Sequence, residues 1–192
     1  MCTLAVLFRI SDRYPLAIAA NRDEYLARAT AGPTVWEGDS WMFAGRDLVA
    51  GGTWLGINGH GMVAGILNRR TESAPDPSRR SRGELCGDCL RQPSLESAAR
   101  VVCGHAGNAH NPFHLLLATA EEAMVLGNAA PAIARRDLAP GVHVLTNLDL
   151  DDPRCPRRAK AHALFETAAE PLRGGDLGGF LESAAAALAD HS

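Results

Sequence analysis

The residue best suited to covalent chemistry in this 192-residue chain is the cysteine at position 2. Its side chain is small enough to permit removal of Met1, which would leave a free α-amine beside the thiol. An α-amino group titrates at about pH 7.7 to 8.0, so a good fraction is neutral at physiological pH and can accept the thiol proton. A nucleophile activated by an N-terminal amine is an established catalytic arrangement. The alternative is a small apolar residue that starts an inner strand.

A polar tetrad, Asn21-Arg22-Asp23-Glu24, is the second feature that could support this chemistry. If the apolar runs at 3–10 and 16–21 pair as a hairpin, the end of the second strand returns to the start of the first. The tetrad would then lie close to Cys2, where an arginine and carboxylates could hold the amine and thiolate in a reactive geometry. The alternative is a solvated turn with a surface ion pair.

The elements that must position these residues follow from the apolar patterns along the chain. Strands are predicted at residues 3–10, 16–20, 41–44, 51–58, 62–67, 113–118, 123–126, 132–134 and 142–145. Helices are predicted at residues 83–91, 94–103, 152–169 and 176–189, with Ser94, Asp152-Pro153 and Asp176 at helix starts. Residues 22–40 are predicted to form a loop, as are residues 69–82, which are polar, proline-broken and contain five arginines. This order predicts a single α+β domain over residues 1–192 with antiparallel sheets.

Six motifs together give the chain a resemblance to a known family. They are Met1-Cys2, Ala20-Asn21-Arg22-Asp23-Glu24, Gly51-Gly52-Thr53-Trp54-Leu55-Gly56-Ile57, Leu67-Asn68, Ser81-Arg82-Gly83-Glu84-Leu85 and Leu145-Thr146-Asn147. In this order and spacing, from residue 1 to about 160, the chain resembles the NRDE family, also called the transport and Golgi organization protein 2 family. That family itself resembles N-terminal-nucleophile hydrolases of the choloylglycine hydrolase and penicillin V acylase type. The resemblance implies a four-layer αββα sandwich of antiparallel sheets.

The resemblance also implies roles for individual residues. Cys2 would be the nucleophile and its α-amine the base, and Asp23 would contact that amine. Asn147 and Asn68 would donate side-chain N–H groups to the oxyanion, a type of contact whose loss costs about 2.7 to 4 kcal/mol. These four residues are the core of the predicted site.

The chain departs from the acylase pattern in its arginines and in its C-terminal region. The acylases place an arginine before the Asn that matches Asn21, whereas this chain has Ala20 there and Arg22 afterwards. Arg157, which follows the Thr-Asn motif, is a second candidate for the cation. Family members continue into a strand pair with a Thr-Arg-Ser/Thr motif. This chain stops at His191-Ser192, before such a strand pair. Three alternatives are therefore open: one sheet lacks strands, a partner chain completes it, or the protein is truncated and less active.

Composition excludes several classes of protein. Nineteen Lys and Arg against 22 Asp and Glu give a net charge of -3, so the basic surface of a nucleic-acid-binding domain is missing. No apolar run reaches the roughly 20 residues of a membrane span. Five cysteines, an odd number, favour free thiols in a reducing compartment, and a cytoplasmic location is predicted.

Cys86-Gly87-Asp88-Cys89 resembles half of a zinc or redox motif. A structural zinc site needs four ligands, and Cys103, His105 and His110 could in principle complete one. The resemblance instead implies an ordinary packed helix at this position. Core thiols are therefore predicted, and no metal or cofactor is expected.

The predicted function is that of a cysteine N-terminal-nucleophile hydrolase, which cleaves a non-peptide C–N bond of a small acylated molecule. The alternative is a non-catalytic binding or trafficking protein for a lipid-like or haem-like ligand on the same fold. A small molecule is the expected partner in both cases, and homo-oligomerisation is left open.

Overall fold

The structure is a computed structural model that describes residues 2–25, 27–38, 41–105, 107–128, 132–148 and 155–190. In chain order its elements are β1 (Thr3–Phe8), β2 (Leu16–Asn21), β3 (Thr30–Trp36), β4 (Met42–Asp47), β5 (Leu55–Asn58), β6 (Val63–Asn68), α1 (Arg82–Leu90), α2 (Leu95–Cys103), β7 (Phe113–Ala118), β8 (Ala123–Gly127), β9 (Ala134–Asp137), β10 (Gly141–Leu145), α3 (Pro156–Arg173) and α4 (Leu177–Ala189). Two compact units arise: Met1–Asp23 with Leu138–Ser192, and Glu24–Asp137.

The first unit is a three-stranded antiparallel sheet that packs against α3 and α4. Its strand order is β10-β1-β2, so β1 is the central strand. All six residues of β1 are buried, which explains why its sequence is a continuous apolar run rather than an alternating one. Ala5 and Leu7 pack in one core cluster with Phe165 and Leu172 of α3 and with Phe180 of α4.

The second unit is a seven-stranded antiparallel sheet with α1 and α2 packed against it. The strand order follows the chain, β3-β4-β5-β6-β7-β8-β9. Its core joins Met62 and Leu115 of the sheet to Leu85 of α1 and Val102 of α2. Turns and short loops join most neighbouring strands, whereas β6 and β7 are joined by the segment that contains α1 and α2.

Two helices begin at capping residues that the sequence predicted, α2 at Ser94 and α4 at Asp176, and Ser81 is the cap of α1. Ser81 and Ser94 accept the backbone N–H three residues ahead in α1 and α2, and Asp176 does so in α4. Each cap satisfies a donor that the first helical turn leaves without a partner. None of the helices in the described part of the chain combines the length and apolarity that a bilayer crossing needs.

The predicted loop at residues 22–40 is wrong in its second half, where the structure has β3. This strand lies at the sheet edge, most of its residues are exposed, and its register shifts between Ala31 and Thr34, beside Pro33. An edge strand with a proline and a bulge has no apolar alternation, so the pattern did not identify it. The strand β9 also lacks apolar alternation, because it consists largely of exposed charged residues, and it begins at Ala134 instead of the predicted residue 132.

The boundaries predicted for α3 also need correction. The helix begins at Pro156 with Cys155 as its N-cap, whereas the predicted cap at Asp152-Pro153 lies outside the described residues. It continues beyond the predicted end at residue 169 to Arg173, despite Pro171. Four buried residues at helical spacing explain the extension, namely Phe165, Ala168, Ala169 and Leu172. Burial of Leu172 in the core outweighs the cost of the proline.

Candidate active site

Cys2 lies at the start of β1, where hydrogen bonds of its nitrogen and its sulfur hold it. Its backbone N–H donates to Oδ1 of Asn147 at 2.8 Å. Its thiol donates to the carbonyl oxygen of Asp23, with 3.6 Å between Sγ and oxygen. The residue is half-buried, so the sulfur combines a fixed position with partial access to solvent.

The register of the β1–β2 hairpin brings the polar tetrad to Cys2. Thr3 pairs with Asn21, and Oδ1 of Asn21 accepts the Thr3 backbone N–H at 2.8 Å. Nδ2 of Asn21 donates to Oδ1 of Asp23 at 3.4 Å. Asn21 therefore fixes both the first residue of β1 and the carboxylate that follows β2. This geometry agrees with the predicted proximity of the tetrad to Cys2.

Asn147 reaches Cys2 from the other neighbour of β1. The β1–β10 register pairs Leu4 with Leu145. If the same register is continued by two residues, residue 147 lies opposite residue 2. Oδ1 of Asn147 accepts the Cys2 N–H, so the two N–H groups on Nδ2 of the same amide are directed away from the Cys2 nitrogen. One side chain can thus orient the nitrogen of Cys2 and also donate to a bound group.

The remaining predicted residues occupy three different positions. Arg22 is half-buried and directly follows Asn21 in the first unit. Arg157 lies in the first turn of α3, and its side chain is outside the described residues. Asn68 ends β6 in the second unit, where it is exposed and pairs with Phe113. The structure therefore brings together Cys2, Asn21, Asp23 and Asn147, whereas the roles of Asn68 and Arg157 stay predictions.

A small cavity beside Asn21 involves residues that the sequence did not single out. It has a volume of about 20 Å³, enough for one water molecule, and Thr3, Asn21, Lys160 and Asp190 are among its lining residues. Nζ of Lys160 lies 2.8 Å from Oδ1 of Asp190. No motif links an α3 lysine to the end of α4, so only packing could reveal this pair.

Glu24, the last residue of the tetrad, begins an ion-pair network in the second unit. Arg28 lies 3.9 Å from Glu24 and 2.9 Å from Asp47. Arg82, from the Ser-Arg-Gly-Glu motif, donates to the Pro112 carbonyl oxygen at 3.0 Å. Burial lowers the pKa of Arg82, and the charge of Glu24 acts against that shift.

Cys86 and Cys89 are core thiols, as predicted. Both are fully buried in α1, where their thiols donate to the carbonyl oxygens of Ala64 and Ala98. Burial raises the pKa of Cys86 well above its ordinary value and that of Cys89 to about 12. Thiols of this kind are unreactive near neutral pH. Among the described residues, no group of three or more His, Cys, Asp or Glu side chains is arranged to hold a metal ion.

Solved structures similar to this chain share its fold at low sequence identity. An N-acylethanolamine-hydrolyzing acid amidase ortholog from Caenorhabditis elegans is 15% identical with a TM-score of 0.70, and the match covers 95% of this chain and 85% of that one. Penicillin V acylase from Agrobacterium tumefaciens is also 15% identical, with a TM-score of 0.61 and coverages of 97% and 72%. These likenesses show the N-terminal-nucleophile hydrolase fold and confirm the predicted fold class.

Sequence relatives identify the family. The mouse Transport and Golgi organization 2 homolog is 33% identical over 153 residues, which are 74% of this chain and 54% of the relative. The human homolog is 32% identical with the same coverages. The chain thus spans about half the length of these curated relatives. Residues 1–181 match the family model described as Transport and Golgi organisation 2. The chain belongs to the transport and Golgi organisation 2 family.

Proposed function

We propose that this chain is an N-terminal-nucleophile cysteine hydrolase that cleaves a non-peptide amide bond of a small acylated molecule. The observation that carries the proposal is the hydrogen bond from the Cys2 nitrogen to Oδ1 of Asn147, beside a half-buried thiol. A base, a nucleophile and an amide donor group meet there in one unit of the fold. This arrangement contains the parts that acyl transfer through a thioester requires.

Removal of Met1 converts the Cys2 amide nitrogen into an α-amine without moving it. One N–H of the amine can still donate to Asn147, and the nitrogen lone pair can accept the thiol proton. The carbonyl of Asp23 orients the thiol before the transfer. The resulting thiolate is the attacking species, because thiolates rather than thiols are nucleophilic.

Attack of Sγ on the substrate carbonyl carbon gives a tetrahedral intermediate whose oxygen carries the negative charge. Nδ2 of Asn147 is the donor in our proposal, and the role of Asn68 as a second donor rests on the family resemblance alone. The protonated α-amine gives its proton to the leaving nitrogen, the C–N bond breaks, and the acyl group remains on Cys2 as a thioester. Water, deprotonated by the same amine, then releases the carboxylic acid and regenerates the thiol.

The tetrad supports this sequence of steps in different ways. Asn21 holds Thr3 and the Asp23 carboxylate in place through its side-chain amide. The carboxylate of Asp23 stabilises the protonated amine in our proposal. Arg22 and Arg157 are the candidates for a cation at the site, and a variant at each position would distinguish them.

The names of the structural neighbours support the substrate class. They include an N-acylethanolamine-hydrolyzing acid amidase, a penicillin V acylase and a conjugated bile acid hydrolase from Clostridium perfringens. Two of these names denote hydrolysis and one an acylase, and each of them specifies a small molecule. Fold similarity alone does not determine function, so the proposal depends on the Cys2 site.

The decisive experiment is mass spectrometry of the protein expressed in its native host and incubated with a panel of small N-acyl amides. We expect the intact mass to lack Met1 and a fraction of the protein to carry one acyl group, mapped to Cys2. A Cys2→Ala variant should remain unacylated, whereas a Cys103→Ala variant, which removes an exposed thiol, should behave as wild type. Retention of Met1 in nearly all molecules would overturn the proposal, as would acylation that Cys2→Ala leaves intact.

The second candidate function is binding or trafficking of a small ligand, and the transport names of the curated relatives favour it. Cys2→Ala separates the two functions, because a carrier keeps its ligand affinity without the thiol and a hydrolase loses turnover. The cytoplasmic location and the oligomeric state stay predictions under either function. The described cysteines are all free thiols.

A further inference from the structure

The helices of the second unit are too narrow to cover its sheet. Seven strands at about 4.8 Å spacing make a sheet roughly 29 Å wide, whereas two helices side by side cover roughly 20 Å. The main contacts of α1 are with β5 and β6, and those of α2 are with β7. The helices cover Met42 and Ala44 of β4, which are buried in the core, so the open part of this face lies at β3 and at the end of β4 around Arg46.

A groove of about 890 Å³ lies along this part of the sheet. Its floor comes from residues that share one face, because Trp36 pairs with Met42 and Thr34 with Ala44 in the β3–β4 ladder. The volume falls in the range of roughly 300 to 1,000 Å³ that small-molecule sites occupy. All of its lining residues belong to the second unit.

The apolar wall of the groove is formed by Trp36, Met42 and Leu48. The indole N–H of Trp36 donates to the Ala44 carbonyl oxygen at 3.1 Å, so the ring is fixed and its polar atom is satisfied without solvent. Leu48 is 58% exposed. Met42 is already buried in the core, so a ligand that covers Trp36 and Leu48 would remove their apolar surface from water without leaving a buried donor unsatisfied.

Arg46 supplies the charge of the groove. Its guanidinium lies 4.4 Å from the centroid of the Trp36 ring, and the side chain is exposed. Arg46 is in none of the ion pairs of the described residues, whereas Arg91, which also lines the groove, lies 2.8 Å from Asp88. A guanidinium stacked on a ring keeps its N–H donors in the plane, where they can meet a carboxylate. Glu37 also lines the groove and disfavours a multiply charged anion.

We propose that this groove binds a small amphiphilic monocarboxylate. The carboxylate pairs with Arg46, and the apolar part lies along Trp36 and Leu48. None of these residues belongs to the proposed catalytic machinery. The inference therefore stands whether or not the chain proves to be a hydrolase.

Octanoate is the probe for this proposal. Octanol, which has the apolar chain without the carboxylate, and acetate, which has the carboxylate without the chain, are the comparison compounds. Titration of the ¹⁵N-labelled full chain should show a saturable shift of the Trp36 indole signal, assigned with Trp36→Phe. We expect Arg46→Gln to weaken octanoate binding by about tenfold or more, because a charge-assisted pair is lost. Arg135→Gln is the matched control, since Arg135 is an exposed arginine on β9, the opposite sheet edge. It should leave the affinity unchanged.

Four outcomes would overturn the proposal. Equal affinity for octanol and octanoate would show that Arg46 has no part in recognition, and competition by acetate at equal strength would show a site for any small anion. A binding isotherm without a shift of the Trp36 signal would place the ligand elsewhere. The same loss of affinity in Arg46→Gln and Arg135→Gln would show that octanoate responds to the net charge of the protein and not to Arg46 in particular.

Discussion

The side chain of Asn147 has one acceptor atom and two donor positions, and the structure assigns the acceptor to the nitrogen of Cys2. The orientation of this amide is fixed by that contact, so its donors have a defined direction before a substrate arrives. Preorganised donors stabilise a developing oxyanion without reorganisation at the moment of reaction. At the scale of single residues, Asn147 therefore links the proposed base to the proposed oxyanion.

We expect Asn147→Ala to lower kcat by roughly 10² to 10³ with any amide that acylates Cys2, because one oxyanion donor is lost. The side chain is half-buried and outside both core clusters, so the urea midpoint should change little. Steady-state kinetics and urea denaturation measure the two effects. Asn108→Ala, at an exposed asparagine, is the matched control and should alter neither. Full kcat in Asn147→Ala would place the oxyanion donor elsewhere.

The thiols should differ in reactivity according to their surroundings. Brief alkylation with limiting reagent at neutral pH should modify Cys2 first in the mature protein, because its thiol lies beside its own amine. Cys86 and Cys89 should react only after unfolding, since burial raises the pKa of both. Peptide mapping by mass spectrometry gives the order. Cys103 is an exposed internal reference, and faster labelling of Cys103 than of Cys2 would argue against an activated nucleophile.

At the scale of elements, two sequence motifs of the second unit meet backbone to backbone. Gly52 has φ +74°, and a Cβ on it would lie 2.2 to 2.4 Å from backbone atoms of Gly83 and Glu84 at the start of α1. The Thr53 N–H donates to the Gly83 carbonyl oxygen at 3.0 Å. This close packing explains why both positions are glycine, and it joins the strand before β5 to the helix.

Gly52→Ala should therefore destabilise the fold by more than about 3 kcal/mol. The added methyl group would clash with the backbone, and alanine disfavours the positive φ that glycine tolerates. Gly51→Ala is a close control, because Gly51 has φ +68° but open space around its Cβ position. It should cost only the left-handed strain of about 1 to 2 kcal/mol. Urea denaturation of both variants separates steric overlap from strain. Equal losses in the two variants would contradict the close approach of the motifs.

Asp47 at the end of β4 gives a test of pH dependence. Burial acts to raise its pKa, but hydrogen bonds from the Ala50 N–H, the Arg28 guanidinium and the Val49 N–H outweigh burial, and the pKa is lowered. A carboxylate with a lowered pKa in the folded state stabilises the fold above its unfolded pKa of about 3.9 and loses this contribution as the pH falls through the folded value. Asp47→Asn should thus be less stable than wild type at pH 7.

That difference should shrink when urea denaturation is repeated as the pH falls from about 3.9 through the lowered folded pKa, because Asp47 then becomes neutral like the asparagine. Asp137→Asn, at a carboxylate whose side chain is 70% exposed on β9, is the control and should change stability little at any pH. A difference for Asp47→Asn that is the same at pH 7 and below the folded pKa of Asp47 would show that its charge is unimportant.

At the scale of the whole molecule, the first unit is built from both ends of the chain and the second from the segment between them. The β1–β10 pairing joins strands that are far apart in sequence, so this sheet cannot form from one continuous stretch. Each unit has a core cluster of its own. The prediction of a single domain requires that the two cores unfold together.

We expect one shared unfolding transition in urea. The three tryptophans at positions 36, 41 and 54 all lie in the second unit, and the buried thiol of Cys155 lies in the first. Tryptophan fluorescence and alkylation of Cys155 should therefore give the same midpoint. Phe165→Ala, in the core of the first unit, should lower both midpoints together, at a cost of about 3 to 5 kcal/mol. Separate midpoints would mean two domains.

Local chemistry explains what the sequence determined correctly. The hairpins around β1 and β5 and the caps at Ser94 and Asp176 follow from patterns within about ten residues, whereas the buried thiols of α1 were predicted from the family resemblance. The hairpin register alone placed Asn21 and Asp23 near Cys2, because antiparallel pairing returns the chain to its start. Exposed edge strands gave no such pattern, since neither face of β3 or β9 is consistently apolar.

Only the tertiary structure decided which distant residues meet. Asn147 contacts Cys2 because β10 pairs with β1, and nothing in the local sequence around either residue specifies that register. The meeting of Lys160 with Asp190 and the open face beside Trp36 likewise depend on how the helices pack. Sequence periodicity reports which face of an element is buried, whereas packing geometry decides what that face touches. The motifs thus predicted the chemistry of the site, and the pairing of β1 with both of its neighbours assembled it.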